Sequence, residues 1–397
     1  MASGGSGRLA GMTRPRGFRA FVALVAGIAV VAIIGLVVLW PDGSSDVELG
    51  AGPSGESEKG TVEAVQSLKC PPPAVGTCIE GEVLIESGPE TGELVPVEFS
   101  AGGPSPDFEV GDQVRITKAD FGPEGTYSVV DFERRAPMIW LAAFFVLLVL
   151  LFGRLRGALS LLGLAISLAV VLVFIVPAIL DGRPPLAVAI VGSVAVMLVT
   201  ILLAHGTGPK SMAAILGTVG SLLLVGILAV LFTNLTNLTG FSSEQAAILA
   251  TNESGISVRG LLIAGMVIGA LGVLDDVTVS QSSTVMALKA ASPDLGFRQL
   301  YSRAIEVGRD HVSATVNTLV LAYVGSSLPV LLIFGATDLG VVDTVNLELV
   351  AKEIVATLVG SIGIIAAVPL TTALAALLAG SLGRDELESA GAGAHHH

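Results

Sequence analysis

The chain has 397 residues, of which 52% are hydrophobic and 14% are charged, and it carries a net charge of −13. A mean hydropathy of +0.81 excludes an ordinary soluble domain, and the acidic balance argues against nucleic acid or anionic lipid as a binding partner. Its 48 glycines and few aromatic residues instead suit closely packed membrane helices.

Eight apolar runs are long enough to cross a bilayer, which takes roughly 20 residues for about 30 Å of hydrocarbon. They lie at 19–40, 137–153, 158–180, 185–204, 211–233, 259–287, 312–335 and 350–380. The apolar core of the first run is too long for a signal peptide, so we expect an uncleaved anchor. Lys and Arg are concentrated in alternate loops, which predicts that both termini lie inside and residues 41–136 outside.

We expect five consecutive parts along the chain. They are a basic N-terminus with the first span (1–40), an acidic flexible linker (41–59), an exterior β-domain (60–136), a seven-helix membrane domain (137–380) and an inner tail that ends in a tag remnant (381–397). The segment 41–136 holds 19 acidic and 6 basic residues, a net charge of −13 that equals the charge of the whole chain. This charge could gather cations near a pore mouth or simply keep an exterior domain soluble.

The exterior domain contains five short runs of strand character separated by turn residues. They are "GTVEAVQSL", "EGEVLIES", "GELVPVEFS", "DQVRITK" and "TYSVVDFER". Five strands in about 75 residues indicate a small barrel or sandwich, and we favour an OB-like barrel. Cys70 and Cys78 close a short proline-rich loop on the oxidising side of the membrane, which predicts a structural disulfide, with a metal pair as the alternative.

Two adjacent carboxylates, Asp275 and Asp276, lie at the end of a long apolar run. Asp276 shares one helical face with four small residues, namely Gly265, Gly269, Gly272 and Ser280, and the three glycines would let another helix approach closely. Asp275 is rotated by about 100° onto another face. Carboxylates at membrane depth are costly and usually face a cavity or a bundle interior; the alternative is a solvated helix end at the boundary.

Other polar residues fall at similar depth in the last two spans. Ser313 and Asn317 share a face, and with Asp276 they could ligate a cation or relay a proton; an interhelical hydrogen bond is the alternative for Asn317. A second group predicts a helix break that lines a polar cavity, and it consists of Gly325, Ser326, Ser327 and Pro329. Glu353 and Ser361 are further candidates in the last span, and we expect Pro369 to break the helix below them. Discontinuous helices point to transport sites, although kinks used only for packing are the common alternative.

No enzyme constellation is recognisable in the sequence, which lacks GxSxG, HExxH and Cys/His clusters. We therefore expect no catalytic residues and no cofactor, and the sequence leaves metal binding undecided. The expected partners are the lipid bilayer and a small cation or a proton, with no nucleic acid, and a homo-oligomer is left open.

Four segments carry a resemblance to a known family. They are "AHGTGPKSMAAILGTVGSLL", "LLIAGMVIGALGVLDDVTVSQ", "VGRDHVSATVNTLVLAYVGSSLP" and "EIVATLVGSIGIIAAVPLTTALAALL". They resemble the YibE/F-like family of bacterial integral membrane proteins over about residues 135–380, with the exterior segment as the usual N-terminal part. The resemblance implies a polytopic, permease-like protein of the bacterial cytoplasmic membrane, favours Asp276 over Asp275, and supplies no substrate.

The sequence thus predicts an α-helical polytopic membrane protein with about eight transmembrane helices and a small exterior all-β domain. We interpret it as a transporter or permease coupled to a cation or proton through an intramembrane carboxylate. One alternative is a non-transporting envelope component whose exterior domain binds a partner. Another is an exporter of a larger envelope molecule.

Overall fold

The computed structural model describes residues 16–43, 57–69, 77–100, 106–118, 127–242, 255–336 and 340–382. The chain divides into two compact units. One consists of Met1–Glu48 together with Leu155–His397, and the other is Leu49–Arg154. Most of the expected linker and Cys70 lie outside the described residues, as do residues 1–15 and the tail beyond Leu382.

The second unit holds a closed five-stranded barrel. Its strands are β1 (Glu58–Lys69), β2 (Thr77–Ile85), β3 (Leu94–Ser100), β4 (Gln113–Lys118) and β5 (Tyr127–Phe132). They follow the order β1-β2-β3-β5-β4, β4 pairs back with β1, and the β3–β5 pair is the parallel one. The prediction of five strands in a small barrel is confirmed.

The barrel interior follows directly from the alternation of apolar and polar residues. Val83 and Ile85 of β2, like Val114 and Ile116 of β4, lie two residues apart and are at most 1% exposed, because alternate side chains of a strand share one face. At the barrel surface, hydrogen bonds from Lys118 and Tyr127 hold the pKa of Glu90 below its usual range. Buried Cys78 lies in β2; the disulfide stays a prediction because its proposed partner is not described.

Helices make up most of the described chain. They are α1 (Arg16–Val38), α2 (Arg135–Val170, followed by a π-helical turn, Val171–Ile175), α3 (Val176–Leu180), α4 (Pro185–His205), α5 (Pro209–Leu235), α6 (Val258–Ala291), α7 (Phe297–Ser326), α8 (Leu328–Gly335), α9 (Val341–Asn346) and α10 (Glu348–Gly380). Within the described residues, six helical segments are long and apolar enough to cross a membrane, or seven if α7 and α8 form one span.

The difference between the eight predicted spans and the count of seven, in which α7 and α8 form one span, comes from one long helical segment. Arg135–Leu180 runs for 46 residues and contains two of the predicted runs, 137–153 and 158–180. Arg154, with a φ of 49°, interrupts the helical backbone between them. The count of eight stays a prediction, since it requires that this interruption separate two spans.

The core of the first unit lies where α5, α6 and α10 pack together. Their backbones come close at glycines: Gly217 lies against Thr371, Gly220 against Leu370 and Gly363 against Val225. Two pairs of polar side chains join helices in this core. The Thr218 and Thr278 hydroxyls are 2.6 Å apart, and the Gln281 amide donates to the Thr372 hydroxyl at 2.7 Å and to the Ala304 carbonyl at 2.9 Å.

The two predicted helix breaks have different outcomes. Between α7 and α8 the helix breaks at Ser327, with Pro329 in the first turn of α8, and the axis bends by 62°, so the break at 325–329 is confirmed. At Pro369 the prediction is wrong, because α10 continues through this residue without interruption. A proline removes one backbone donor, and the packing of the long helix on both sides compensates for that loss.

Candidate functional site

Both aspartates line one cavity of about 510 Å³ in the first unit. Its walls come from the second half of α2, the last turns of α4 and the middle of α6. Its polar lining consists of Ser160, Ser167, Thr200, His205, Asp275, Asp276 and Ser280. At Gly163 of α2, an added methyl group would meet Thr200 of α4 at 3.7 Å, an ordinary contact distance, so the two helices lie side by side at this wall of the cavity.

Asp275 is the more enclosed of the two carboxylates. Its Oδ2 accepts a hydrogen bond from the Thr200 hydroxyl at 3.1 Å, while its Oδ1 is buried and has no partner among the described residues. The Thr200 hydroxyl also lies 3.1 Å from the Met197 carbonyl. A hydroxyl has one proton to donate, so Thr200 can donate either to a charged Asp275 or, when Asp275 itself carries a proton and donates, to the Met197 carbonyl.

Asp276 is exposed to the cavity and lies one helical turn before Ser280. The Ser280 hydroxyl lies 3.4 Å from Nε2 of His311, which connects the cavity wall to α7. His205, at the end of α4, is within electrostatic range of Asp276 and of two bases, Arg156 and Lys210. The cavity therefore combines two acids with imidazole and hydroxyl groups, and basic side chains lie nearby.

The structure does not bring the other predicted pathway residues to this cavity. Asn317 and Ser313 are exposed on α7, and the Ser313 hydroxyl donates to the Arg309 carbonyl at 3.0 Å. Ser361 is buried in the core on α10, and its hydroxyl has no partner among the described residues. The predicted cluster of Asp276 with Asn317 and the helix break is therefore wrong, because helical periodicity fixes a face but not the helix that it meets.

The helix break borders a separate cleft of about 250 Å³. Tyr323, Ser327, Glu353 and Thr357 supply its polar groups, and the rest of the lining is apolar. The expectation of a polar cavity at the break is therefore wrong. Ser326 is exposed, and its hydroxyl donates to the Tyr323 carbonyl at 2.9 Å.

The glycine stripe on α6 is open rather than closely packed. No atom lies within 4 Å of a methyl group placed at Gly265 or Gly272, nor at Gly325 near the break. At Gly269 the nearest atom is the Tyr323 hydroxyl, at 3.3 Å. The prediction that another helix packs closely along this stripe is wrong. Glycines that do allow close packing lie on other helices, among them Gly217 of α5, Gly308 of α7 and Gly363 of α10.

Sequence reasoning missed Thr200, His205 and His311. Thr200 is one of two hydroxyl residues in an apolar run, with Ser193, and its place near the end of that run is the signal that could have singled it out. The two histidines carry no local signal, since His205 ends α4 and His311 lies in the middle of α7. Their relation to the aspartates depends on how α4 and α7 pack beside α6, which local patterns do not reveal.

The donor set suits a proton or a cation that keeps part of its own hydration. Within the described ranges, no three His, Cys, Asp or Glu side chains come together as metal ligands. Two carboxylates, hydroxyl oxygens and an imidazole can exchange protons and can bind a cation through oxygen atoms.

The fold and cavity define a mostly helical protein whose apolar helices are compatible with a membrane location. The description "YibE/F-like protein" matches residues 141–381, and the chain belongs to this family. The comparisons find no matching curated protein and no matching solved structure.

Proposed function

We propose that the protein is a membrane transporter coupled to a proton or small cation through Asp275 and Asp276. The observation that carries the proposal is the shared cavity, because both carboxylates line one cavity among apolar helices. Such an arrangement is unfavourable unless the acids are used or solvated, and intramembrane acids usually mark ion pathways.

The two acids take different parts in this proposal. Asp275 holds the exchangeable proton, because it has both a switchable donor in Thr200 and a buried carboxylate oxygen with no partner among the described residues. Asp276, which is more exposed, exchanges with the cavity water and with Ser280. Passing a proton between these groups while the cavity opens to alternate sides is a minimal coupling device.

The setting of the transporter is part of the proposal. The Lys and Arg distribution supports a bacterial cytoplasmic membrane protein with both termini inside and residues 41–136 outside. The strand order and parallel β3–β5 pair support an OB-like barrel for the exterior domain. Its partners are the bilayer and the coupling ion, and its chemistry is transport rather than catalysis.

Proton flux into reconstituted vesicles tests the proposal without knowledge of the substrate. Purified protein is placed in vesicles that contain a trapped pH-sensitive dye, and an imposed pH gradient drives the flux. We expect the double variant Asp275→Asn with Asp276→Asn to lose at least about tenfold in protein-dependent flux, because neither amide can hold an exchangeable proton.

The matched control is Asp294→Asn, an exposed acid in the loop between α6 and α7 that does not line the cavity. It should keep the flux of the unmodified chain. Equal flux in the control and the double variant would contradict the proposal.

A further inference from the structure

The aspartate cavity is larger than a coupling proton or a bare cation requires. Its volume is about 510 Å³, which lies within the range of about 300–1,000 Å³ that pockets for small organic ligands occupy. A single water molecule takes only about 30 Å³ of liquid volume. The cavity therefore has room for a small organic molecule.

Apolar side chains make up a large part of the cavity lining. They include Leu159 and Leu164 of α2, Ile201 of α4 and Val279 of α6. These side chains offer no ligand atoms to a hydrated inorganic cation, whereas they pack favourably against hydrocarbon. An occupant that suits this wall has an apolar part.

The polar part of the lining is rich in hydrogen-bond acceptors. The Ser167 hydroxyl donates to the Gly163 carbonyl at 2.8 Å. The Ser280 hydroxyl donates to the Val277 carbonyl at 3.1 Å. Because each hydroxyl has only one proton, both serine oxygens are left with lone pairs that accept. Asp275 adds a buried carboxylate oxygen that has no partner among the described residues.

The charge of the lining is also uncompensated. Asp275 and Asp276 both line the cavity, and no described Lys or Arg does. Neither aspartate forms an ion pair within the described parts of the chain. A primary ammonium group supplies both what the acids lack and what the acceptors need, because it carries one positive charge and three N–H donors.

We propose that the aspartate cavity binds a small primary alkylammonium ion, with its ammonium group at Asp275 and Asp276 and its hydrocarbon part against the apolar wall. This inference rests on the proposed function and names the substrate class of the same site. The ammonium group lies beside Asp275 and its partner Thr200. Along α4 this position is about 7 Å from His205, near which Arg156 and Lys210 lie.

The same carboxylates then couple the substrate to the proton. A carboxyl group that holds a proton has no charge with which to pair with an ammonium ion. When the ammonium ion binds, the protonated aspartate releases its proton to the cavity water and becomes the carboxylate that pairs with the ion. The protein thereby exchanges one proton for one organic cation.

Thermal unfolding of the purified full chain in detergent tests the substrate class. The probe is n-butylammonium chloride, and its controls are sodium butanoate, which has a hydrocarbon chain of similar length with the opposite charge, and sodium chloride at equal concentration. Because a ligand that binds the folded state stabilises it, we expect about 10 mM butylammonium to raise the unfolding midpoint by at least about 2 °C, and neither control to do so. Methylammonium, which lacks most of the apolar part, should give a smaller shift.

Variants place the effect at the cavity. The shift should disappear in the double variant Asp275→Asn with Asp276→Asn and persist in Asp294→Asn, an exposed acid outside the cavity. The comparison of ligands on the unmodified chain does not depend on how well the double variant folds.

Each failure has a distinct meaning. An equal shift with butanoate or sodium chloride, or a shift that persists in the double variant, would overturn the inference. Equal shifts with methylammonium and butylammonium would overturn the apolar part of the site and with it the substrate class. No shift with butylammonium, in a protein whose proton flux still depends on the two aspartates, would overturn the inference and leave the proposed function in place.

Discussion

Asp275 and Asp276 show how far adjacent residues in one helix can differ. The helical pattern correctly separates them by face, and it points to Asp276 because this residue continues the glycine stripe. The structure adds that both acids reach the same cavity, and that Asp275 has the defined hydrogen-bond partner in Thr200. That partner lies 75 positions away in the sequence, so no local pattern could have indicated it.

Thr200 offers a test of this assignment at the scale of one hydroxyl group. Thr200→Val keeps the shape and removes the donor, so a charged Asp275 loses its hydrogen bond and binds a proton more readily. We expect the pH at which proton flux is half-maximal to move upwards in vesicles, while Thr200→Ser, which keeps the hydroxyl, behaves like the unmodified chain. An unchanged pH profile in Thr200→Val would show that the hydroxyl does not act on the exchangeable proton.

At the scale of helices and strands, the predictability of an element depends on whether its signal is local. All five strands were predictable because alternation and turn residues lie within each segment. The break at Ser327 was predictable from Gly325 and Pro329, whereas Pro369 carries the same local signal inside a continuous helix. The difference lies in packing, because α10 packs against α5 and α6, whereas α8 is largely exposed.

Glycine contacts give a measurable consequence of this packing. Gly217 lies directly against Thr371, so Gly217→Ala should overpack the α5–α10 contact and cost about 2 kcal/mol of unfolding free energy. Gly265→Ala is the control, because its methyl group meets open space and alanine favours a helix over glycine by about 1 kcal/mol. The thermal unfolding midpoint in detergent should fall for the first variant and hold or rise for the second. Equal midpoints would show that α5 and α10 are not so closely packed at Gly217.

At the scale of the whole molecule, composition predicts the class and long-range packing determines the site. The lengths of the apolar runs identified the candidate spans. The resemblance identified the YibE/F-like family, whose description matches residues 141–381. The cavity could not be predicted in the same way, because its lining comes from α2, α4 and α6, which are distant in the sequence. For the same reason Asn317, for which the sequence predicted a suitable depth, lies on an exposed face rather than in the site.

Labelling with dicyclohexylcarbodiimide tests the central claim most directly, because this apolar reagent adds to carboxyl groups that carry a proton and needs no knowledge of the substrate. In native membranes, the account predicts that peptide mass spectrometry finds the label on Asp275 or Asp276, that labelling slows as pH rises because only the protonated carboxyl group reacts, and that it is lost in the double Asn variant. Absence of label from both aspartates at every pH tested, with other membrane carboxyl groups labelled, would contradict an exchangeable proton in this cavity.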